Sequence, residues 1–261
     1  LLNSEPERSG RVEKRTPAAS LAVSSVADYA GTLLALLAHP NIASKARIIR
    51  LYDHEVQGGA VIRPLTGAEM DAPSDASALR PPGVKGRAGI AVANGINPEY
   101  GKHDPYRMAM AVVDEAVRNL VAVGADPARI ALLDNFCWGD PLRPETLGAL
   151  VEAARGCHDA ALLFGTPFIS GKDSLNNEYL GPDGQRHAIP PTLLISSLGV
   201  LADITQTVTM DLKQAGNLIY LVGVFAPVFG GSHFNLVTGA KDDPPQPVPA
   251  VSAQTPAVYR A

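Results

Sequence analysis

The sequence predicts an α/β fold of the mixed α+β type, and three observations carry that prediction. Short β-compatible apolar runs at 89–93 (GIAVA), 129–133 (RIALL) and 190–201 (PPTLLISSLGVL) are bounded by turn-forming residues. Between them, 104–123 and 144–161 repeat apolar residues at helical spacing. The 261 residues, 46% hydrophobic and 18% charged, can bury the core of one large domain, or of one domain and part of another.

Composition also excludes partners. A net charge of −4 gives no electrostatic reason for a nucleic-acid or acidic-membrane partner, although a local basic pocket stays open. Two cysteines, Cys137 and Cys157, suit a reducing, cytoplasmic setting and no disulfide scaffold, with a single bridge still open. No secretory signal is visible, and the apolar run at 33–37 is too short to cross a bilayer. A start without methionine and a proline-rich end lead us to expect a fragment of something longer.

Residues 1–24 are charged, then rich in alanine and serine, and read as a linker or lead-in. The stretch 26–37 reads as an amphipathic helix with Ser24 or Ser25 as cap, stopped at His39-Pro40. A second helix is expected over 46–55, closing at Val56-Gln57-Gly58-Gly59, and a strand from 61 to 65. Asp75 follows the turn-rich Asp71-Ala72-Pro73-Ser74 and precedes a small apolar run, 76–79. GIAVA then forms a buried strand that ends in a turn at Asn94-Gly95.

The helix after it has a clear start and stop: Asp104 as N-cap, Pro105 at the first position, Gly124 beyond the last turn. Arg107, Asp114 and Arg118 share a stripe expected to meet water; Ala109, Val113, Ala116 and Leu120 share one expected to meet a sheet. Glu115 and Asn119, one turn apart, stack on one face beside apolar neighbours. A carboxylate placed there needs a partner, because burying an unpaired charge is costly. A ligand would serve; so would an outward reach to water or a neighbouring arginine.

The run 129–133 leads into Asp134-Asn135-Phe136-Cys137-Trp138-Gly139-Asp140-Pro141, an aspartate and an amide at a strand's carboxyl end, where α/β proteins place ligand contacts. A turn capped by Asp134 is the other reading. A helix follows over 144–161, with Cys157 as a small core residue; Cys137 has no zinc-ligand spacing and no identifiable base. A strand over 162–169, broken by Gly165 and Pro167, delivers Gly171-Lys172-Asp173-Ser174-Leu175-Asn176-Asn177-Glu178-Tyr179. These nine residues hold the chemical inventory for a phosphate and a hard cation, or they form a polar turn. Gly181-Pro182-Asp183-Gly184 makes a tight turn, 190–201 a long buried strand, 202–213 a bridge and 218–222 a further strand; beyond Gly239 the chain is expected to be irregular.

A candidate site follows. Asp75, Glu115, Asn119 and Asp173 supply only oxygen donors, as Mg²⁺ prefers, while Lys172 and the backbone at Gly171 suit phosphates and Ser174 can donate to one.

Several motifs together resemble a known family. They are His39-Pro40-Asn41-Ile42-Ala43-Ser44-Lys45, Tyr52-Asp53-His54-Glu55-Val56-Gln57-Gly58, Pro73-Ser74-Asp75-Ala76, Asp104-Pro105-Tyr106, Glu115-Ala116-Val117-Arg118-Asn119, Asp134 to Pro141, and Gly171 to Glu178. In this order over 39–201 they resemble the second repeat of the phosphoribosylformylglycinamidine synthases (formylglycinamidine ribonucleotide synthases). The resemblance implies an aminoimidazole ribonucleotide synthetase-like N-domain over 25–205, whose sheet pairs with a counterpart into a barrel. It implies that 206–261 is the truncated start of a second α/β domain.

By the same resemblance, Asp75, Glu115, Asn119 and Asp173 fall where long-form members bind magnesium at a nucleotide site. Asp134, Gly171 and Ser174 fall where short-form members contact nucleotide or substrate phosphate; those members carry asparagine where this chain has Lys172. The implied cofactors are Mg²⁺ and ATP or ADP. The implied reaction is ATP-dependent conversion of formylglycinamide ribonucleotide to its amidine with glutamine-derived ammonia, in purine biosynthesis. The implied partners are a glutaminase domain or subunit and a first synthetase repeat. No catalytic residue is assigned: the family's catalytic histidines belong to the first repeat, His54 is read as structural or as a support behind the residues that touch ligand, and the chain alone is expected to be inactive. Two other readings stand beside this one, a permanently held structural nucleotide, and a kinase or selenophosphate-type synthetase of the same fold.

Overall fold

The computed structural model describes residues 7–12, 26–53, 55–223, 225–239 and 247–261. Most of the expected lead-in, the caps Ser24 and Ser25, and His54 lie outside the described residues. Helix α1 (Tyr29–Ala38) starts instead at Asp28, whose carboxylate accepts the Gly31 N–H at 2.9 Å.

The helix expected over 46–55 is a single turn, α2 (Ala46–Ile49). Ile48, Leu51 and Tyr52 are all exposed, so no buried stripe holds a longer helix together. The strand expected at 61–65 is divided into β1 (Ala60–Ile62) and β2 (Leu65–Thr66), the latter paired with β3 (Ala72–Pro73). There follow β4 (Ser77–Leu79), β5 (Gly89–Ile96), α3 (Pro98–Gly101), α4 (Pro105–Ala122), β6 (Ile130–Cys137), α5 (Pro144–Phe164) and β7 (Phe168–Gly171). The hairpin β8 (Glu178–Leu180) and β9 (Arg186–Ala188) precedes β10 (Thr192–Leu201), and two short helices, α6 (His233–Thr238) and α7 (Thr255–Arg260), complete the order.

Six strands form one open mixed sheet in the order β1-β4-β5-β10-β6-β7, with β1 and β7 at its edges. All its pairs are antiparallel except β6–β7. The long central strand alternates as a half-buried strand should: Leu193, Ile195, Ser197, Gly199 and Leu201 point to the helical layer, and Leu194, Ser196 and Leu198 to the half-exposed face. Helix α4 lies across β5 and β10 with α5 packed beside it. It buries Met108, Val112, Val113, Val117 and Leu120, each contributing about 1.5–3 kcal/mol on apolar area alone. The Ser197 hydroxyl, fully buried, donates to the carbonyls of Ala93 and Ala116 at 3.2 and 3.0 Å, so one polar group ties two strands to the helix.

Several expectations are corrected. Asn94-Gly95 is not a turn: β5 runs on to Ile96, and a Cβ on Gly95 would collide with the Val112 carbonyl, so this glycine lets α4 approach the sheet. Residues 162–164 belong to α5, which ends at Gly165 in the left-handed conformation (φ 71°), and the strand begins only at Phe168. Residues 218–222 form no strand; Leu218, Ile219, Tyr220, Leu221 and Val222 are all exposed. The segment after Gly239 is not wholly irregular, since α7 forms and Val248 is 2% exposed. Nor does the Arg107, Asp114 and Arg118 stripe face only water: Arg107 Nη1 donates to the Val248 carbonyl at 2.6 Å, and Tyr259 Oη to Asp114 Oδ1 at 2.6 Å. Tyr259 also stacks on Phe164 of α5, ring centroids 6.0 Å apart.

Candidate functional site

Apart from Asp75, the expected site residues fall into two groups along the sheet, one beside β5 and one where β6 and β7 meet. The first is made by α4 at the end of β5. Asp104 caps the helix through the Arg107 N–H at 2.9 Å, as expected, and that start sets which residues reach the sheet about three to four turns further on. Glu115 Oε2 accepts the Ile96 N–H at 2.9 Å, and Asn119 Nδ2 donates to the Asn94 carbonyl at 3.1 Å. Burial pushes the Glu115 carboxyl above its ordinary value, against the lowering effect of the Ile96 N–H and the nearby Arg118. Glu115 faces a cavity of about 700 Å³, walled by Ile96, Tyr100 and Arg118 on one side and by Val251 and Tyr259 of the chain's last residues on the other.

The second group is built where β6 and β7 run parallel. Asp134 sits within β6 and not at its end, as expected from the sequence; the strand continues through Asn135 and Phe136 because the chain after Gly171 keeps pairing with it. Lys172 N–H donates to the Asp134 carbonyl at 3.0 Å, Ser174 N–H to Phe136 at 2.7 Å, and Trp138 N–H to Ser174 at 2.9 Å. Asp173 turns its Oδ1 back onto the Phe136 N–H at 3.2 Å. The Asp134 carboxylate occupies the space a Cβ on Gly171 would need. Burial raises its pKa, and the charge and side-chain hydrogen bond of Asp173 raise it further. Lys172 Nζ donates to Ser174 Oγ. Lys172 and Asp173 are exposed and Ser174 half-buried, so the wall is open to a ligand.

Asp75 belongs to neither group by direct contact. It is half-buried at a bend just before β4, whose register, Ser77 opposite Val92, would bring Asp75 opposite Asn94 if the pairing continued. The two groups are separated by the sheet itself: Ile195 of β10 stands between Gly95 of β5 and Asp134 of β6. Two strand spacings amount to about 10 Å. Among the described residues, no three His, Cys, Asp or Glu side chains are grouped to hold one metal ion.

Residues that the sequence did not single out complete these surroundings. Asn94 accepts from Ser196 Oγ at 3.0 Å beside the Asn119 contact, and Glu178 is buried against Arg143. Asn94 was masked by its turn-like Asn-Gly context, and Glu178 by an unremarkable position at the end of the polar stretch. The walls supplied by residues 249–259 left no signal in a proline-rich segment.

Residues 73–201 match the family described as AIR synthase related protein, N-terminal domain. These residues thus form an AIR synthase related domain. Similarity reaches beyond this domain. The chain is 41% identical over 218 residues to phosphoribosylformylglycinamidine synthase subunit PurL of Gloeobacter violaceus, an alignment that takes in 79% of this chain and 27% of that protein. It is 42% identical over 197 residues to the same subunit of Deinococcus radiodurans, covering 75% of this chain and 25% of the relative. The chain thus spans about a quarter of the length of the curated relatives it matches. Among solved structures, Thermotoga maritima PurL complexed with ADP superposes with a TM-score of 0.51 at 22% identity, over 75% of this chain and 28% of that one, a likeness of fold alone. This AIR synthase related fold is the α/β class expected; its sheet is open among the described residues. No helix among them is long and apolar enough to cross a membrane.

Proposed function

We propose that the chain is part of a phosphoribosylformylglycinamidine synthase, an ATP-dependent ligase of purine synthesis, and that it holds a magnesium nucleotide on the wall formed by Asp134, Gly171, Lys172, Asp173 and Ser174. The observation that carries this is the pairing of the 171–174 stretch with β6, which presents a lysine, a hydroxyl and two crowded carboxyls on one open strand end. Names of relatives 41% and 42% identical support the reaction.

The donor set fits a hard cation. Every candidate ligand is an oxygen, and the burial of Asp134 and its repulsion from Asp173, which together raise its pKa, are what a bound cation offsets. Asp173 would hold one magnesium ion, with Glu115, Asn119 and Asp75 serving a separate position on the β5 side. A separation of about 10 Å between the groups suits ions bridged by phosphate groups and not a single shared ion. Bound magnesium would offset charge on the phosphoryl oxygens. Lys172 adds a point charge beside the same oxygens, Ser174 donates a hydrogen bond, and the missing Cβ of Gly171 lets Asp134 stand close. No residue of this wall is assigned a proton transfer.

In this reading residues 206–261 open a second domain, the open sheet pairs with a counterpart, and a glutaminase and a first synthetase repeat complete the working enzyme in the cytoplasm. Calorimetry of the chain with ADP and Mg²⁺ tests the site: Asp173→Ala should weaken binding at least about tenfold, the scale of one charge-assisted contact. Absence of ADP binding by the wild-type chain would sink the proposal. In the complete enzyme, loss of amidine formation with folding intact supports a working site; loss of folding supports a nucleotide held as a permanent structural element.

A further inference from the structure

The stretch that carries Lys172 and Ser174 is held from behind by one buried carboxylate. The Glu178 side chain is 3% exposed; its Oε2 pairs with Arg143 Nη2 at 3.1 Å, and its Oε1 accepts the Asp140 N–H at 3.2 Å. Both partners belong to the turn that leads from β6 into α5, where Arg143 is the residue just before the helix. The same turn meets the stretch through the backbone: Asn177 N–H donates to the Trp138 carbonyl at 2.9 Å and Asn176 N–H to Gly139 at 3.3 Å. Asn177 Nδ2 donates to the Ser174 carbonyl at 2.8 Å, and Asn176 adopts a left-handed φ of 67°, so the chain doubles back between Ser174 and Glu178.

Burying a carboxylate strips hydration that only close partners restore, and a buried pair is better evidence of a fixed arrangement than of stability. Here the pair closes the far end of a loop whose near end presents the anion-binding groups. We propose that Glu178 is a positioning residue: through Arg143 and Asp140 it sets where Ser174 and Lys172 stand, and thereby the affinity of the wall for phosphoryl oxygens. The inference rests on the nucleotide reading above.

The test is calorimetry of the full chain with ADP plus Mg²⁺ and, separately, with adenosine. Trp138, the chain's single tryptophan and fully buried against this loop, supplies an emission signal for loop integrity. Glu178→Ala should lose about tenfold in ADP affinity, the scale of a hydrogen bond to a charged group, with adenosine affinity little changed. Glu178→Gln keeps an acceptor for the Asp140 N–H and should recover most of that loss. Equal losses for both ligands, or unchanged affinity in both variants, would overturn the inference while leaving the nucleotide reading standing. If Glu178→Ala unfolds, seen as a red-shifted Trp138 emission without ligand, Arg143→Gln removes the ion pair alone; the ADP-selective loss is expected there too, and its absence overturns the inference. A wild-type chain that binds no ADP defeats the nucleotide reading, and this inference with it.

Discussion

At the scale of single residues, the chemistry of the site was legible and its geometry was not. Glycine, lysine, aspartate and serine in sequence announce phosphate and cation chemistry, but only the structure shows that Gly171 exists to make room for the Asp134 carboxylate. Gly171→Ala should displace that carboxylate and lower ADP affinity at least about tenfold in the same calorimetric assay, for a change of one methyl group. Glu115 offers a second reading at this scale. Its folded pKa lies above the ordinary 4.5, so the folded state binds the proton more tightly than the unfolded chain does. The stability this contributes is complete below 4.5 and is lost as pH rises through the raised folded value. Glu115→Gln, which keeps an acceptor for the Ile96 N–H, removes the dependence. The wild-type advantage over the variant in urea midpoint should therefore shrink with rising pH across that window, and a difference independent of pH would contradict the assignment.

Elements were legible where local signals agree. The aspartate cap, the proline after it and the terminal glycine predicted α4 to within a residue or two, because all three act within one turn of the helix. Strands were read too short wherever a turn-like residue served packing. Asn94-Gly95 has the composition of a hairpin turn, yet the glycine is there for the backbone of α4, a contact made with residues 17 positions away, Gly95 to Val112. Local sequence carries no trace of such a neighbour. Gly95→Ala should force α4 off the sheet and cost roughly 2–3 kcal/mol in chemical denaturation, the upper part of the usual range for overpacking. The opposite error, a strand placed over 162–164, came from apolar residues with no period long enough to separate a buried helix end from a strand.

For the whole molecule, the class of fold was predicted and the course of the last residues was not. A proline-rich segment was read as irregular, whereas residues 247–260 fold back over the helical layer, anchored by Arg107 to Val248 and by Tyr259 to Asp114 and Phe164. Such an anchor depends on partners 95 to 145 residues away, beyond any periodicity. Tyr259→Phe keeps the stacked ring and removes the phenol. It should cost about 1.5 kcal/mol, as expected for a hydrogen bond to a charged group, and speed amide exchange over α7 more than over β10.

The one parallel pairing among the described strands, β6 with β7, has a consequence in time. It reaches round α5 from Leu132 to Phe168, a separation of 168 − 132 = 36 residues, whereas β10 meets β5 only across 194 − 96 = 98, from Ile96 to Leu194. Closing that long loop is paid in chain entropy before any contact across it returns a gain. The unit β6–α5–β7, and with it the phosphate wall, should therefore gather before β10 takes its place in the sheet. Pulse-labelled exchange should find the Lys172 and Ser174 amides protected before those of β10, so that a newly made chain shapes the wall for its ligand before it closes its sheet.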